Sequence, residues 1–305
     1  MSVLVVGSIA LDTVKTPVEE HADQLGGSAS YAAVGASFFA PVNLVGVVGD
    51  DFPELEFEFW KTRRIDSSGV VRAKGKTFRW SGEYAWDLNN RETKSVALNV
   101  FENFRPVLPE KFRDTEFVLL ANIAPSLQTH VLNQMRQPRF VVADTMDLWI
   151  ETARKDLDAL LPRLDLLILN DSEARQITGD TSLIRAGRAI RRMGPRYLAV
   201  KKGEHGALLF GEEDFFSCGA YPLEDIHDPT GAGDTFAGGV AGYLAGNCDD
   251  GVSFPQLRRA VIHGSVLASF NVEKFSLERL RSLTNDEIEE RYRMFKLMSE
   301  FEVLS

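Results

Sequence analysis

Residues 228–239 read DPTGAGDTFAGG. Three small residues, Gly231, Ala232 and Gly233, stand immediately before an acid, Asp234, and a helix pattern of small residues follows. Bare backbone N–H groups at a helix start can hold a phosphate or a developing negative charge. A carboxylate beside them can accept the proton of an attacking hydroxyl. Pro229 restricts the way into the turn, while Gly231 and Gly233 tolerate positive φ and leave no side chain between backbone and ligand. The combination points to phosphoryl transfer to an alcohol. A carboxylate in a first helical turn is stabilised as the anion, so a low pKa is expected for Asp234. A loose phosphoryl-transfer transition state tolerates a weak base, because orienting the hydroxyl matters more than early proton removal.

Two other glycine-based readings fail. Phe236 stands where a dinucleotide fingerprint needs its third Gly, and no strand leads in closely. Gly75-Lys76-Thr77 ends like a P-loop, but the first Gly of that loop would fall on Val70, and a strand pattern follows in place of a helix.

Outward from the motif, short apolar runs alternate with helix-like segments. Val3–Val6, Leu44–Val48, Phe117–Leu120, Phe140–Ala143, Leu166–Leu169 and Tyr197–Val200 suit strands covered on both faces. Ser28–Phe39, Leu127–Arg136 and Leu183–Met193 read as helices, the last ended by Gly194-Pro195. Thr284 and Glu287 form a capping-box pattern before Ile288, Tyr292 and Phe295, which predicts a closing helix. This order predicts an α/β fold with a doubly wound, mostly parallel sheet flanked by helices. The segment from Lys76 to Val100 departs from it. Phe78, Trp80, Tyr84 and Trp86 share one parity; Thr77, Arg79, Ser81, Glu83 and Asp87 take the other. A turn-like Leu88–Arg91 follows, and Val96, Leu98 and Val100 resume the alternation. That is an antiparallel hairpin with one apolar face, attached to the α/β body as a lid, a solvated ornament or a dimer surface.

The chain has 305 residues, 44% of them hydrophobic, which is ample for a core. A formal charge of −10 argues against a general nucleic-acid or membrane-surface binder. Cys218 and Cys248 show neither metal-type spacing nor a disulfide framework. His21, His130, His205, His227 and His263 are scattered, without a metal-ligand pair. Ser30 and Ser37 lack a nucleophile-elbow context. The chain starts directly with a strand-like run and has no apolar stretch approaching the ~20 residues of a membrane helix. A cytoplasmic location is the expectation.

The motif and its companions resemble the ribokinase/PfkB-type carbohydrate kinase family across most of the chain. DPTGAGDTFAGG is similar to that family's C-terminal signature. Gly26-Gly27 before a small-residue helix resembles its N-terminal Gly-Gly signature, and Val45–Phe52 the segment after the next strand. Asn170-Asp171-Ser172-Glu173 matches its Asn-x-x-Glu, and Lys202-Gly203-Glu204-His205-Gly206 its late Gly-x-x-Gly turn.

The resemblance implies one ribokinase-like kinase domain over residues 1–305, with a discontinuous β lid from about 10–24 and 70–101. It implies Asp234 as catalytic base and the N–H groups of Gly231, Ala232 and Gly233 as an anion hole. Asn170 and Glu173 would organise Mg²⁺ and the nucleotide phosphates, Glu173 through water. Without the resemblance, the same pair reads as a helix cap. Lys201, Gly203 and Gly206 would border the nucleotide. Asp12 corresponds to the acid that holds acceptor hydroxyls, beside Gly26 and Gly27. Asp228 and Thr230 lie where some members bind a monovalent cation, K⁺.

Departures from the family pattern fall on acceptor recognition. Tyr31 stands where an acceptor-touching Asn is frequent, and Lys201 where Thr is frequent. Arg79, on the polar parity of the hairpin, would meet an anionic acceptor or an ATP phosphate, or stay solvated. The leading expectation is an ATP-dependent kinase acting on a sugar or sugar-like polyol under the lid. A nucleoside is the alternative acceptor, suggested by Tyr31 and the aromatic hairpin. A nucleotide-binding regulatory protein without turnover is the alternative of another class. A homodimer through the lid is a further expectation.

Overall fold

The structure, a computed structural model, describes residues 1–88 and 91–302. Among these residues the strands are, in chain order, β1 (Val3–Val6), β2 (Ala10–Lys15), β3 (Glu20–Gly26), β4 (Val42–Val48), β5 (Ile65–Arg72), β6 (Phe78–Tyr84), β7 (Arg91–Ala97), β8 (Phe117–Leu120), β9 (Phe140–Asp144), β10 (Leu166–Asn170), β11 (Tyr197–Lys201), β12 (Ala207–Phe210) and β13 (Phe215–Cys218). Nine of them form one sheet in the order β13-β12-β11-β10-β9-β8-β1-β4-β5. Every pairing from β5 across to β11 is parallel, and β12 is antiparallel to both its neighbours. The apolar runs VLVV and FVLL are wholly buried, as strands covered on both faces must be.

Each predicted strand is present. Three of them run one residue past their apolar run, so β9 ends on Asp144, β10 on Asn170 and β11 on Lys201. β5 and β13 sit at the sheet edges, half-exposed, and β5 mixes polar residues into its sequence. Neither therefore shows the apolar run of a central strand.

The predicted helices appear as Ser28–Ser37, Pro125–Leu132 and Leu183–Arg192, and the closing helix Asn285–Ser299 carries the Thr284–Glu287 capping box. The small residues of the helix Ala232–Asn247 let it lie backbone to backbone on Ser28–Ser37. A Cβ on Gly238 would sit 2.1 Å from the Ala32 carbonyl oxygen, and one on Gly242 2.5 Å from that of Ala36. This close approach fixes the start of one helix, behind Gly231, relative to the start of the other, behind Gly27.

The remaining strands form a second sheet in the order β3-β2-β6-β7. Its outer pairings are antiparallel, and β2 and β6 run parallel at its centre. The alternation between Lys76 and Val100 is thus the antiparallel pair β6–β7; Asn89 and Asn90 of the expected turn lie outside the described residues. Residues 70–72 belong to β5 in the large sheet, so this part of the second sheet begins at Phe78. Its apolar face is narrower than the parity suggests. Tyr84 is buried with Val14 and Phe275, and Trp80 packs against them. Trp86 lies past the end of β6 and is 86% exposed, and Val96 and Leu98 are exposed as well. Among the described residues, no helix is long and apolar enough to cross a membrane.

Candidate active site

The site lies where the C-terminal ends of β9, β10 and β11 face the start of the helix Ala232–Asn247, in the crevice where open α/β sheets bind ligands. Gly231 precedes that helix with φ 76°, a left-handed conformation that costs other residues about 1–2 kcal/mol. A Cβ there would lie 2.3 Å from the Tyr31 ring. Ala232 N–H donates to the Pro229 carbonyl at 3.2 Å, and Thr235 N–H to the Gly231 carbonyl at 2.8 Å. Among the described residues, the N–H groups of Gly231, Gly233 and Asp234 have no backbone acceptor outside the helix. The anion hole expected from Gly231, Ala232 and Gly233 therefore loses Ala232, whose donor closes the turn.

Asp228 and Thr230 brace this turn from below. Asp228 is almost wholly buried and accepts from Thr230 N–H at 2.8 Å and Ser276 N–H at 3.1 Å. Asn271 Nδ2 donates to the Thr230 carbonyl at 2.8 Å, and Thr230 Oγ1 donates to the Tyr84 hydroxyl at 3.1 Å. The last bond ties the second sheet to the turn. Neither Asn271 nor Tyr84 was singled out for this from sequence; their signal lies in the tertiary structure alone.

Asp12 faces the same turn from β2, buried at 5% exposure. The Gly27 N–H donates to its carboxylate. Its Oδ1 is buried without any hydrogen-bond partner. Both glycines of the pair are required here. Gly27 has φ 86°, and a Cβ on Gly26 would sit 1.9 Å from Asp12 Oδ2. Burial pushes the Asp12 pKa up to about 7; the Gly27 N–H pulls it down, while nearby Asp228 and Asp234 raise it and Arg91 lowers it. Asp228, Asp234 and Arg91 are thus near enough to act on the charge of Asp12.

Arg91, at the start of β7, was not among the residues read from sequence, since it falls in the turn-like segment. Its guanidinium lies 5.2 Å over the Trp80 ring and within hydrogen-bonding reach of the Tyr84 hydroxyl. Arg79 takes the opposite course. It pairs with Asp23 and, at 2.8 Å, with Asp51, so the polar parity of β6 commits it to its own side of the sheet. Tyr31 also departs from expectation. It is 2% exposed, with its ring under Gly231 and its hydroxyl on Ser276, so it supports the turn from beneath and does not line the cleft.

On the other side of the turn, Asn170 and Glu173 form a complete capping box. Asn170 Oδ1 accepts from Glu173 N–H at 2.8 Å, and Glu173 Oε2 from Asn170 N–H at 2.7 Å. Burial pushes Glu173 up to about 7, against the pull of Lys201. Lys201 Nζ lies 3.2 and 3.1 Å from the two oxygens of Asp144, a buried acid also missed from sequence. Gly203 and Gly206 turn the chain from β11 into β12 with φ 55° and 84°. Among the described residues, no group of three or more His, Cys, Asp or Glu is disposed to cage a metal.

The low pKa expected for Asp234 is not found. Burial raises it to about 7, Asp144 adds to the rise, and Lys201 and Arg91 oppose it. Loss of water outweighs the partial charge of the helix start.

The pfkB family carbohydrate kinase profile matches residues 2–281. A cytidine kinase of Thermococcus kodakarensis is 31% identical over 254 residues, covering 81% of this chain and 90% of that protein. An inositol 3-kinase of Arabidopsis thaliana is 23% identical over 312 residues, covering 97% and 82% respectively. Among solved structures, the nucleoside kinase of Methanocaldococcus jannaschii, an archaeal member of the ribokinase family, superimposes with a TM-score of 0.75 at 19% identity, over 96% of this chain and 98% of that one. A ribokinase II structure from E. coli that holds ATP and Mg²⁺ gives a TM-score of 0.74 at 18% identity, over 96% and 99%.

Proposed function

The chain belongs to the pfkB family of carbohydrate kinases, phosphotransferases with alcohol acceptors, and on that premise we propose that its acceptor is a nucleoside. The observation that carries the proposal is Trp80, half-buried and directly opposite Asp12 in the β2–β6 register, with the Arg91 guanidinium 5.2 Å over its ring. A flat aromatic surface with a guanidinium over it suits a planar base, which it can stack on and hydrogen-bond at its edge. The cytidine kinase that shares 31% of its residues with this chain points the same way.

In this reading the unpartnered Oδ1 of Asp12 accepts a hydrogen bond from an acceptor hydroxyl. A buried carboxylate oxygen without a donor is costly, and a sugar hydroxyl relieves that cost. Asp234 orients the reacting hydroxyl and takes its proton. A pKa of about 7 matches a general base to neutral pH better than an ordinary carboxylate would. The free N–H groups of Gly231 and Gly233 receive the oxygens of the phosphoryl group in transfer. Asn170, Glu173, Lys201, Gly203 and Gly206 border the nucleotide. Family members use ATP with Mg²⁺, which Asn170 and Glu173 would help to hold and which would neutralise charge as it develops on the phosphates. Glu173 Oε1, which makes no capping bond, would meet a magnesium-bound water. The second sheet, tied to the turn through Tyr84 and Thr230, excludes water from the acceptor and so limits ATP hydrolysis.

A sugar or polyol acceptor is the second reading, favoured by the inositol 3-kinase match. ATP consumption over a panel of nucleosides, pentoses, hexoses and inositols separates the two. Nucleosides turned over with the highest kcat/KM support the proposal, and preference for a free sugar or inositol overturns it. The same reading includes a cytoplasmic location, a homodimer through the second sheet and a K⁺ effect. Because the Thr230 carbonyl and the Asp228 carboxylate are already engaged, K⁺ would act through neighbouring carbonyls. Sedimentation and a K⁺-for-Na⁺ exchange test these points.

A further inference from the structure

The strands β9, β10 and β11 end side by side in Asp144, Asn170 and Lys201, with Asn170 directly opposite Lys201 in register. The Lys201 side chain is 18% exposed and that of Asp144 5%. Burial this deep costs an ion pair most of its Coulombic gain, so stability alone does not account for the pair. Its position is more informative. A Cβ built on Gly233 would lie 3.0 Å from Lys201 Nζ, so the ammonium rests against the first turn of the helix Ala232–Asn247. Asn170 of the Asn170–Glu173 cap lies opposite Lys201 in the β10–β11 register, and Glu173 and Asp234 both act on its charge. The ammonium thus sits between the turn that receives the phosphoryl group and the pair that borders the nucleotide. An ammonium has three N–H donors. Two can be assigned to the oxygens of Asp144, and a third is left for an incoming oxygen.

We propose that Lys201 is a catalytic residue that contacts the phosphoryl group in transfer, and that Asp144 is the positioning residue that holds its ammonium in place. The proposal rests on the kinase reading of this site. In the step, the bond from the γ-phosphorus to the bridging oxygen breaks and its electron pair stays on ADP. A bond from the acceptor oxygen to phosphorus forms, and the hydroxyl proton passes to Asp234. Lys201 remains protonated throughout and stabilises charge spread over the equatorial and bridging oxygens. A cation already held by Asp144 needs no reorganisation as that charge develops.

The test measures two quantities in wild type, Lys201→Met, Asp144→Asn and the double variant: kcat at saturating Mg-ATP and acceptor, and the Kd values of Mg-ATP and Mg-ADP by calorimetry. Lys201→Met is expected to lower kcat about 10²–10³-fold, the usual cost of losing one preorganised charge-stabilising donor. It should weaken ATP roughly tenfold more than ADP, because only ATP carries the phosphoryl group in question. Asp144→Asn should lower kcat about tenfold, and Lys201→Met should cost less in that background than alone. Lys201→Met leaves Asp144 buried without its partner, so that protein can fail to fold. The double variant carries neither charge and gives the decision in that case: the same large loss of kcat and of the ATP-over-ADP preference. A kcat within about threefold of wild type in Lys201→Met or in the double variant overturns the proposal. So does equal weakening of ATP and ADP, or strict additivity of the two substitutions. If wild type turns over no acceptor, the kinase reading fails by itself, while the ATP-to-ADP comparison still decides whether Lys201 meets the terminal phosphate. Wild type that binds neither nucleotide refutes both.

Discussion

Replacing Gly231 by alanine strikes the turn on which both halves of the site depend. The residue has φ 76°, which costs an alanine about 1–2 kcal/mol. Its Cβ would lie 2.3 Å from carbons of the Tyr31 ring, where ordinary contact begins at 3.4 Å. The ring is 2% exposed and bound through its hydroxyl to Ser276, so it has little room to yield. Overpacking of this kind costs a further ~1–3 kcal/mol. The turn must instead lift by roughly 1 Å, carrying the donors of Gly231 and Gly233 with it, and a displacement of that size costs about 10²-fold in rate. Gly231→Ala is therefore expected to lose about 2–5 kcal/mol of stability in chemical denaturation and about 100-fold in kcat. Tyr31→Ala opens a cavity and is destabilising alone. In the double variant the clash is gone and only the backbone strain remains, so the two costs should fall short of their sum by at least about 1 kcal/mol. A Gly231→Ala enzyme with kcat within about twofold of wild type, or a double variant whose costs simply add, would refute the packing of Tyr31 under the anion hole.

Other expectations follow from the same geometry. Asp12→Asn keeps an acceptor for the Gly27 N–H but removes the charge offered to the substrate, so steady-state kinetics should show acceptor KM rising about 10–100-fold with ATP KM nearly unchanged. Arg91→Ala should raise acceptor KM by roughly tenfold, whereas Arg79→Ala, already paired with Asp23 and Asp51, should leave it within about twofold. Because Asp234 must lose its proton to act and burial holds its pKa at about 7, kcat/KM should rise with pH up to that value and level off above it; a profile flat from about pH 5 to 8 contradicts this. Asp12, Glu173 and Asp234 bind protons more tightly folded than unfolded. The unliganded protein's unfolding free energy should therefore fall as pH rises from about 4 to about 7 and then lose this dependence, as denaturation curves across that range would show.

What the sequence reveals is what local pattern encodes. The small residues before Asp234 announce the turn, and Asn170 with Glu173 announces its helix cap, because both depend on neighbours within a few residues. The apolar runs announce the parallel sheet. The Asp144–Lys201 pair is invisible in this way, since 57 positions separate its members and only the ordering of β9, β10 and β11 unites them. Arg91 acts on the charge of Asp12 only because β7 pairs with β6 and β6 lies parallel to β2, pairings between distant segments. Tyr31 misleads because its position in the helix Ser28–Ser37 fits an acceptor contact, while the close packing of two small-residue helices buries it. Asp234 misleads for a related reason. Its place at a helix start argues for a low pKa, and the loss of water around it, which no local pattern records, argues more strongly for a high one.

Asp234 is proposed as the base for transfer of the ATP phosphoryl group to a hydroxyl. Asp234→Asn tests it most directly, with turnover followed on the best acceptor from the panel and ATP binding measured on the same preparation. A loss of kcat of about 10²–10⁴-fold is expected, with ATP affinity changed by only a few-fold. An Asp234→Asn protein that phosphorylates its acceptor at close to the wild-type rate would contradict it.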